Sequence, residues 1–127
     1  MTNNHMNAHE ARAALFQRKI SYEDYNESIP GVPELDGMLG IIELRASDTA
    51  HASKLAIDEN GEQDQALVLG AVVAKALVLR ETKERLCSDS DIEAVADWGM
   101  LVLKPLSEKI AKHSGLSEDA LIGAKKN

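Results

Sequence analysis

Four groups of residues have types and spacings that could do chemistry, and each is measured against what that chemistry requires. His5 and His9 stand four apart, so on a helix two imidazoles point the same way beside Glu10; two ligands without a third make adventitious metal binding at most. Cys87 is the sole cysteine, and a Cys87, His113 and acid constellation can be drawn. A lone cysteine is more often a small apolar filler, however, and His51 and His113 read as isolated histidines on helix surfaces. Asp89, Asp91 and Glu93 alternate as calcium ligands can, but the glycine and glutamate of a helix-loop-helix calcium loop are absent at the required spacings. Gly31, Gly37 and Gly40 are followed by no Lys-Ser or Lys-Thr pair, so they do not read as a phosphate-binding loop. No catalytic residue, metal ligand or cofactor is assigned, and the expectation is a protein that is not an enzyme.

What remains is binding to other proteins. Trp98 and Met100 are two large side chains beside a possible bend, where aromatics and methionines serve as partner anchors. Ordinary burial tendencies instead favour placing both in the core. Leu15 and Phe16, on an N-terminal arm, complete the set of partner-binding candidates. A formal net charge of −7 repels phosphate backbones and anionic lipid, which argues against nucleic acid and membrane surfaces as partners. The single cysteine allows no intramolecular disulfide and fits a reducing compartment, and the opening MTNNHMNAHE lacks the basic and apolar segments of a secretory signal. Cytoplasmic residence is expected.

The elements that must position these residues are organised around ALVLGAVVAKALVL, residues 66–79, an apolar run with one charge, Lys75. It is too short to cross a bilayer and longer than the usual strand, so a buried central helix about 21 Å long is predicted, with its four valines keeping a strand alternative open. Asp64, Ala71, Lys75 and Thr82 fall along one side of that helix as a polar or small stripe expected to meet water or a partner, with Val72 and Val73 buried. The chain is expected to be one domain, 1–127, with 1–6 and 123–127 disordered. Its fold class is mainly α within α+β, about five helices around the central one and a small β-hairpin in the N-terminal third. Aromatics make up only 3% of the chain, so the core is aliphatic.

Along the chain, Asn7 with Glu10 predicts an N-cap and a helix to about Lys19 with a thin apolar face. Two short antiparallel strands are expected between Ile20 and Arg45, separated by a connection containing Pro30, Gly31, Pro33 and Gly37. Ser47 and Asp48 open a helix to about Ile57, and Gly61 suits a left-handed turn position. Leu86 is an isolated apolar residue expected to tuck under the next element. Ser90 with Glu93 has the form of a capping box for a helix starting near Asp91. A bend is expected at Trp98-Gly99, a kink or restart at Pro105, and a stop at Gly115, with a further turn or two to Ile122.

The stretch SDSDIEAVADWGMLVLKPLSEKIAKHSGLSED, residues 88–119, resembles the tail assembly chaperones of bacteriophages with long flexible tails. The matching words are Ser88, Asp89, Asp91, Ile92 and Glu93 at a helix start, and Ser114, Gly115, Leu116 and Ser117 after it; His113 stands where these proteins commonly have leucine. The resemblance implies a chaperone in the host cytoplasm that binds the tape measure protein, helps recruit tail tube subunits, and is absent from the finished virion. It also implies self-association, through many weak contacts along one elongated partner. In that family a ribosomal slippage site often ends the gene, and Gly123-Ala124-Lys125-Lys126 is the kind of peptide an A-rich slippery run encodes. The alternatives are a structural tail-completion or head-tail joining protein, and a small acidic protein-binding regulatory module.

Overall fold

The computed structural model describes residues 5–116; the expectations for residues 1–4, for the turns at 117–122 and for the tail at 123–127 lie outside them. The fold is α+β, with five helices and a three-stranded antiparallel sheet. In chain order these are α1 Ala8–Phe16, β1 Tyr22–Tyr25, β2 Leu39–Ile42, α2 Ala46–Leu55, α3 Gln65–Ala76, β3 Leu77–Leu79, α4 Ile92–Ala96 and α5 Met100–His113. Two 3-10 turns, Pro33–Leu35 and Asp89–Asp91, punctuate the longer connections.

The centre is α3. Its N-cap, Asp64, accepts the Ala66 and Leu67 N–H groups at 2.8 and 3.3 Å, satisfying donors that the first turn cannot pair internally. Eight of its twelve residues are buried, Val72 and Val73 almost completely. One side packs on the sheet and α5 through Ile41, Leu77, Leu103, Leu106 and Ile110, and the other on α2 and α4 through Ala52 and Ile92. Gly70 sets the approach of α4: a Cβ there would lie 2.7 Å from the Ile92 carbonyl oxygen and 3.0 Å from the Ala96 nitrogen. Only a hydrogen lets the two backbones come so close.

The fourteen-residue run is therefore not one helix. It leaves helical geometry at Leu77, and Leu77, Val78 and Leu79 pair with Ile41, Gly40 and Leu39 as a third strand. A short run apolar on every side satisfies a buried strand as well as a buried helix, and the free edge of β2 decides between them. The hairpin expected from the sequence is β1–β2, in register Tyr22 to Ile42 through Tyr25 to Leu39. Its sheet gains the unexpected third strand from the end of the central run.

The polar stripe on α3 is also corrected. Ala71 is fully buried and Lys75 is 7% exposed, held between α2 and the turn before α4. The Lys75 ammonium lies 2.9 Å from His51 Nδ1 and 3.3 Å from Asp89 Oδ1, and Arg85 binds the same carboxylate oxygen at 3.3 Å while donating to the Ala74 carbonyl. Burial alone would raise the Asp89 carboxyl, but hydrogen bonds from Arg85 and Lys75 hold it below its usual range. His51 is thus not isolated, and the lone charge of the run is neutralised internally.

Caps set the remaining boundaries. The box before α4 is formed by Ser88 and Asp91, not Ser90 and Glu93: Asp91 accepts the Ser88 N–H at 2.8 Å, because the chain first makes the 3-10 turn Asp89–Asp91. The expected bend at Trp98-Gly99 is a full break, with Gly99 as the N-cap of α5. Pro105 then lies inside a helix that continues to His113 rather than restarting it. The bond lost is to the carbonyl of Leu101, the most exposed large apolar residue in the described chain, where water can replace the missing donor. Gly115, at φ 76°, closes α5; its N–H reaches the Lys112 carbonyl and the Leu116 N–H that of Ala111, a paired arrangement that leaves Leu116 against the core.

A candidate protein-docking groove

The break between α4 and α5 borders an apolar groove. Because α4 ends at Ala96 and α5 starts at Met100, the connecting Trp98 is carried to the rim of a groove of about 510 Å³. Val102 and Leu106 of α5, Ile29, Val32 and Leu35 of the β1–β2 connection, Leu39 and Leu77 of the sheet, and Leu86 and Cys87 line it together. No residue lining it is charged.

Local sequence explains this shape. The connection of residues 26–38 is shaped by its own backbone turns, in which the Val32 N–H bonds to the Ile29 carbonyl, Leu35 to Val32 and Met38 to Leu35, while Ile29 and Leu35 pack against the core. Pro33 starts the 3-10 turn, where its missing N–H costs nothing. Leu86, expected to be covered, stays 40% exposed because the segment before α4 is drawn toward α3 by Arg85. Burial pushes the Cys87 thiol above its ordinary pKa, with the Asp91 charge adding to the effect. A groove wall, and not an activated nucleophile, is the use this geometry makes of it.

Of the four residues expected to anchor a partner, Trp98 lines the groove and Met100 flanks it, 37% and 57% exposed. Neither fills the core as their residue types suggested, since the helix break points this corner outward. Leu15 and Phe16 lie elsewhere, 70% and 73% exposed on α1, a helix that buries no residue. The structure therefore separates the four into two apolar surfaces. Sequence reasoning missed Ile29, Val32, Leu35 and Leu86, whose common feature, apolar residues inside loop-like segments, is visible in the sequence without indicating that they converge.

A second cluster bears on catalysis. His113 lies with Nε2 2.9 Å from Ser21 Oγ and Nδ1 3.0 Å from Glu23 Oε1, a serine, histidine and carboxylate in sequence of contact, where the sequence had offered only Cys87 as a nucleophile for this histidine. The Ser21 hydroxyl has a second partner. It donates to Glu43 Oε1 at 3.2 Å, and the same oxygen accepts the Ser21 N–H at 3.1 Å. Hydrogen bonds from Arg18 and from the Ser21 backbone bring the Glu43 pKa down to about 2, so Glu43 stands as a carboxylate anion tied to the start of β1. The cluster serves as a polar seam: Ser114 Oγ accepts the Leu44 N–H at 2.9 Å and Lys109 reaches Glu23 at 3.0 Å, joining the end of α5 to β1 and β2.

Among the described residues no group of three His, Cys, Asp or Glu side chains is placed to hold a metal ion, and no helix is long and apolar enough to cross a membrane. Comparison with protein-family models, curated proteins and solved structures finds no match.

Proposed function

We propose that this chain is a non-enzymatic protein-docking module, and that its client is the tape measure protein of a phage tail, which it holds in the host cytoplasm during assembly. The observation that carries the docking half is the uncharged groove lined by Trp98 and aliphatic side chains, with exposed Met100 two residues on, in a chain of net charge −7. An amphipathic helix with apolar residues at three- and four-residue spacing fits such a groove, since its side chains fill the walls while its polar face stays in water. A tape measure protein offers many such segments in succession, so modest affinity at each suffices once many copies line one chain.

The phage half of the reading is supported by the resemblance of residues 88–119. Several of its words have a structural reason of their own: Asp91 caps Ser88, and Gly115 ends α5 in a left-handed conformation. Such words recur wherever a helix of this design begins and ends, so the client, not the groove, is the part most in need of test. Recruitment of tail tube subunits and absence from the virion belong to this proposal too. Co-expression with the tape measure protein of the same phage tests it: the two should co-purify, the tape measure protein should become soluble, and finished particles should lack this chain. Stoichiometric amounts in mature virions would favour a structural component instead.

A further inference from the structure

The same chain carries an unfilled apolar groove and an apolar helix that covers nothing. α1 exposes Phe16 and Leu15 at its end, and Phe16 is presented with the Arg12 guanidinium 4.4 Å from its ring centre. Two adjacent large apolar side chains left in water at the tip of a capped helix form an anchor. Charge points the same way. Residues 8–19 carry Arg12, Arg18 and Lys19 against Glu10; with Arg18 held by Glu43, Arg12 and Lys19 leave a surplus of one positive charge in a chain of net charge −7. Acids adjoin the groove's lining residues in sequence, Glu34 and Asp36 on either side of Leu35 and Asp97 beside Trp98, all exposed. The cation nearest in sequence, Arg85 beside Leu86, is held by the Ala74 carbonyl and Asp89.

We infer that α1 of a second copy docks in this groove, with Phe16 and Leu15 against Trp98, Val102 and Leu35 and with Arg12 and Lys19 facing these acids. The inference rests on the groove being a docking site and is independent of the client's identity. α1 can dock without unfolding: Arg18 stays on Glu43 at 2.8 Å and the capping box of Asn7 and Glu10 keeps the helix formed. Each copy offers one arm and one groove, so contacts either close reciprocally into a two-fold dimer or propagate from copy to copy. In both arrangements the arm competes with a client helix, and self-association gives way as clients load.

Trp98 is the only tryptophan, so its fluorescence reports groove occupancy directly. Sedimentation of the full chain over a concentration series should show species larger than the monomer, with Trp98 emission moving to shorter wavelength in step and both effects weakening in high salt. The double variant Leu15→Ser, Phe16→Ser should keep its melting temperature but associate about tenfold more weakly or worse. A synthetic peptide of residues 7–19 added to that variant should restore the Trp98 shift, and the same peptide with Phe16→Ser should not. A wild-type chain that stays monomeric, a double variant that associates like wild type, or a peptide that leaves Trp98 unmoved overturns the inference. A blue-shifted emission that is independent of concentration and lost in the variant would place the arm in its own groove, which also overturns it. Client capture is read separately, by adding the tape measure protein to wild-type chain at a concentration too low for self-association: client binding without association at higher concentration overturns this inference alone, and association without client binding overturns the choice of client alone.

Discussion

α3 and α1 are both short helices opened by a side-chain cap, Asp64 in one and Asn7 in the other, yet α3 buries eight of twelve residues and α1 buries none. Capping and propensity make each a helix; they say nothing of where it goes. The difference lies in what surrounds them. α3 is apolar on every side, so the sheet, α2, α4 and α5 can each find a face to cover. The apolar residues of α1 are mostly alanines, too small to hold a neighbour, and its two large side chains stay exposed. The core helix is thereby an internal scaffold and the arm a surface element.

The sharpest break of this contrast is Val72→Asp. An unpaired carboxylate at a position 1% exposed costs several kcal/mol against a total stability of about 5 to 15, and the chain should fail to melt cooperatively in calorimetry. A soluble, cooperative Val72→Asp protein would remove α3 from the centre of the fold. Gly70→Ala is the milder version. The added methyl meets backbone atoms of Ile92 and Ala96, which cannot rotate away as side chains can, so α4 must shift at a cost of about 1 to 3 kcal/mol. Because α4 leads into Trp98, the variant should alter the tryptophan emission as well as lower the melting temperature. An unchanged or raised melting temperature would show that the α3–α4 contact has slack.

The same contrast explains how much could be read from the sequence. Features decided within a few residues were legible: the Asn7 and Glu10 box, the positive φ of Gly61 and Gly115, the positions of β1 and β2, and the burial of Val72 and Val73. Features decided by distant partners were not. Leu77 to Leu79 became a strand because β2 had an edge to offer, and Lys75 went inside because His51 and Asp89 were there to receive it. Ser21 and His113 are 92 residues apart, with nothing in either neighbourhood to announce the other. For the groove, Trp98 and Met100 were visible as candidates, but the lining at Ile29, Val32 and Leu35 comes from a loop whose turns bring its apolar residues together.

The smallest expected effect concerns the joint between the two regions. Arg18, just past α1, is tied to the body by Glu43, whose carboxylate also takes the Ser21 N–H and so fixes the start of β1. Because the folded Glu43 pKa, about 2, lies below the ordinary carboxylate value near 4.3, this tie contributes fully above the unfolded value and is lost as pH falls through about 2. The consequence is local. Arg18 is more than half exposed, so losing the bond should loosen the arm with little change in global melting. Hydrogen exchange should show this as faster exchange of the Ser21 amide and of the last turn of α1 on going from pH 5 toward pH 2, after correction for the intrinsic rate, while the α3 amides stay protected to lower pH. Glu43→Gln should show that fast exchange already at pH 5 and lose the pH dependence. If the wild-type arm and α3 instead lose protection together, the joint is part of the core, and the division between scaffold and arm fails at the residue that separates them.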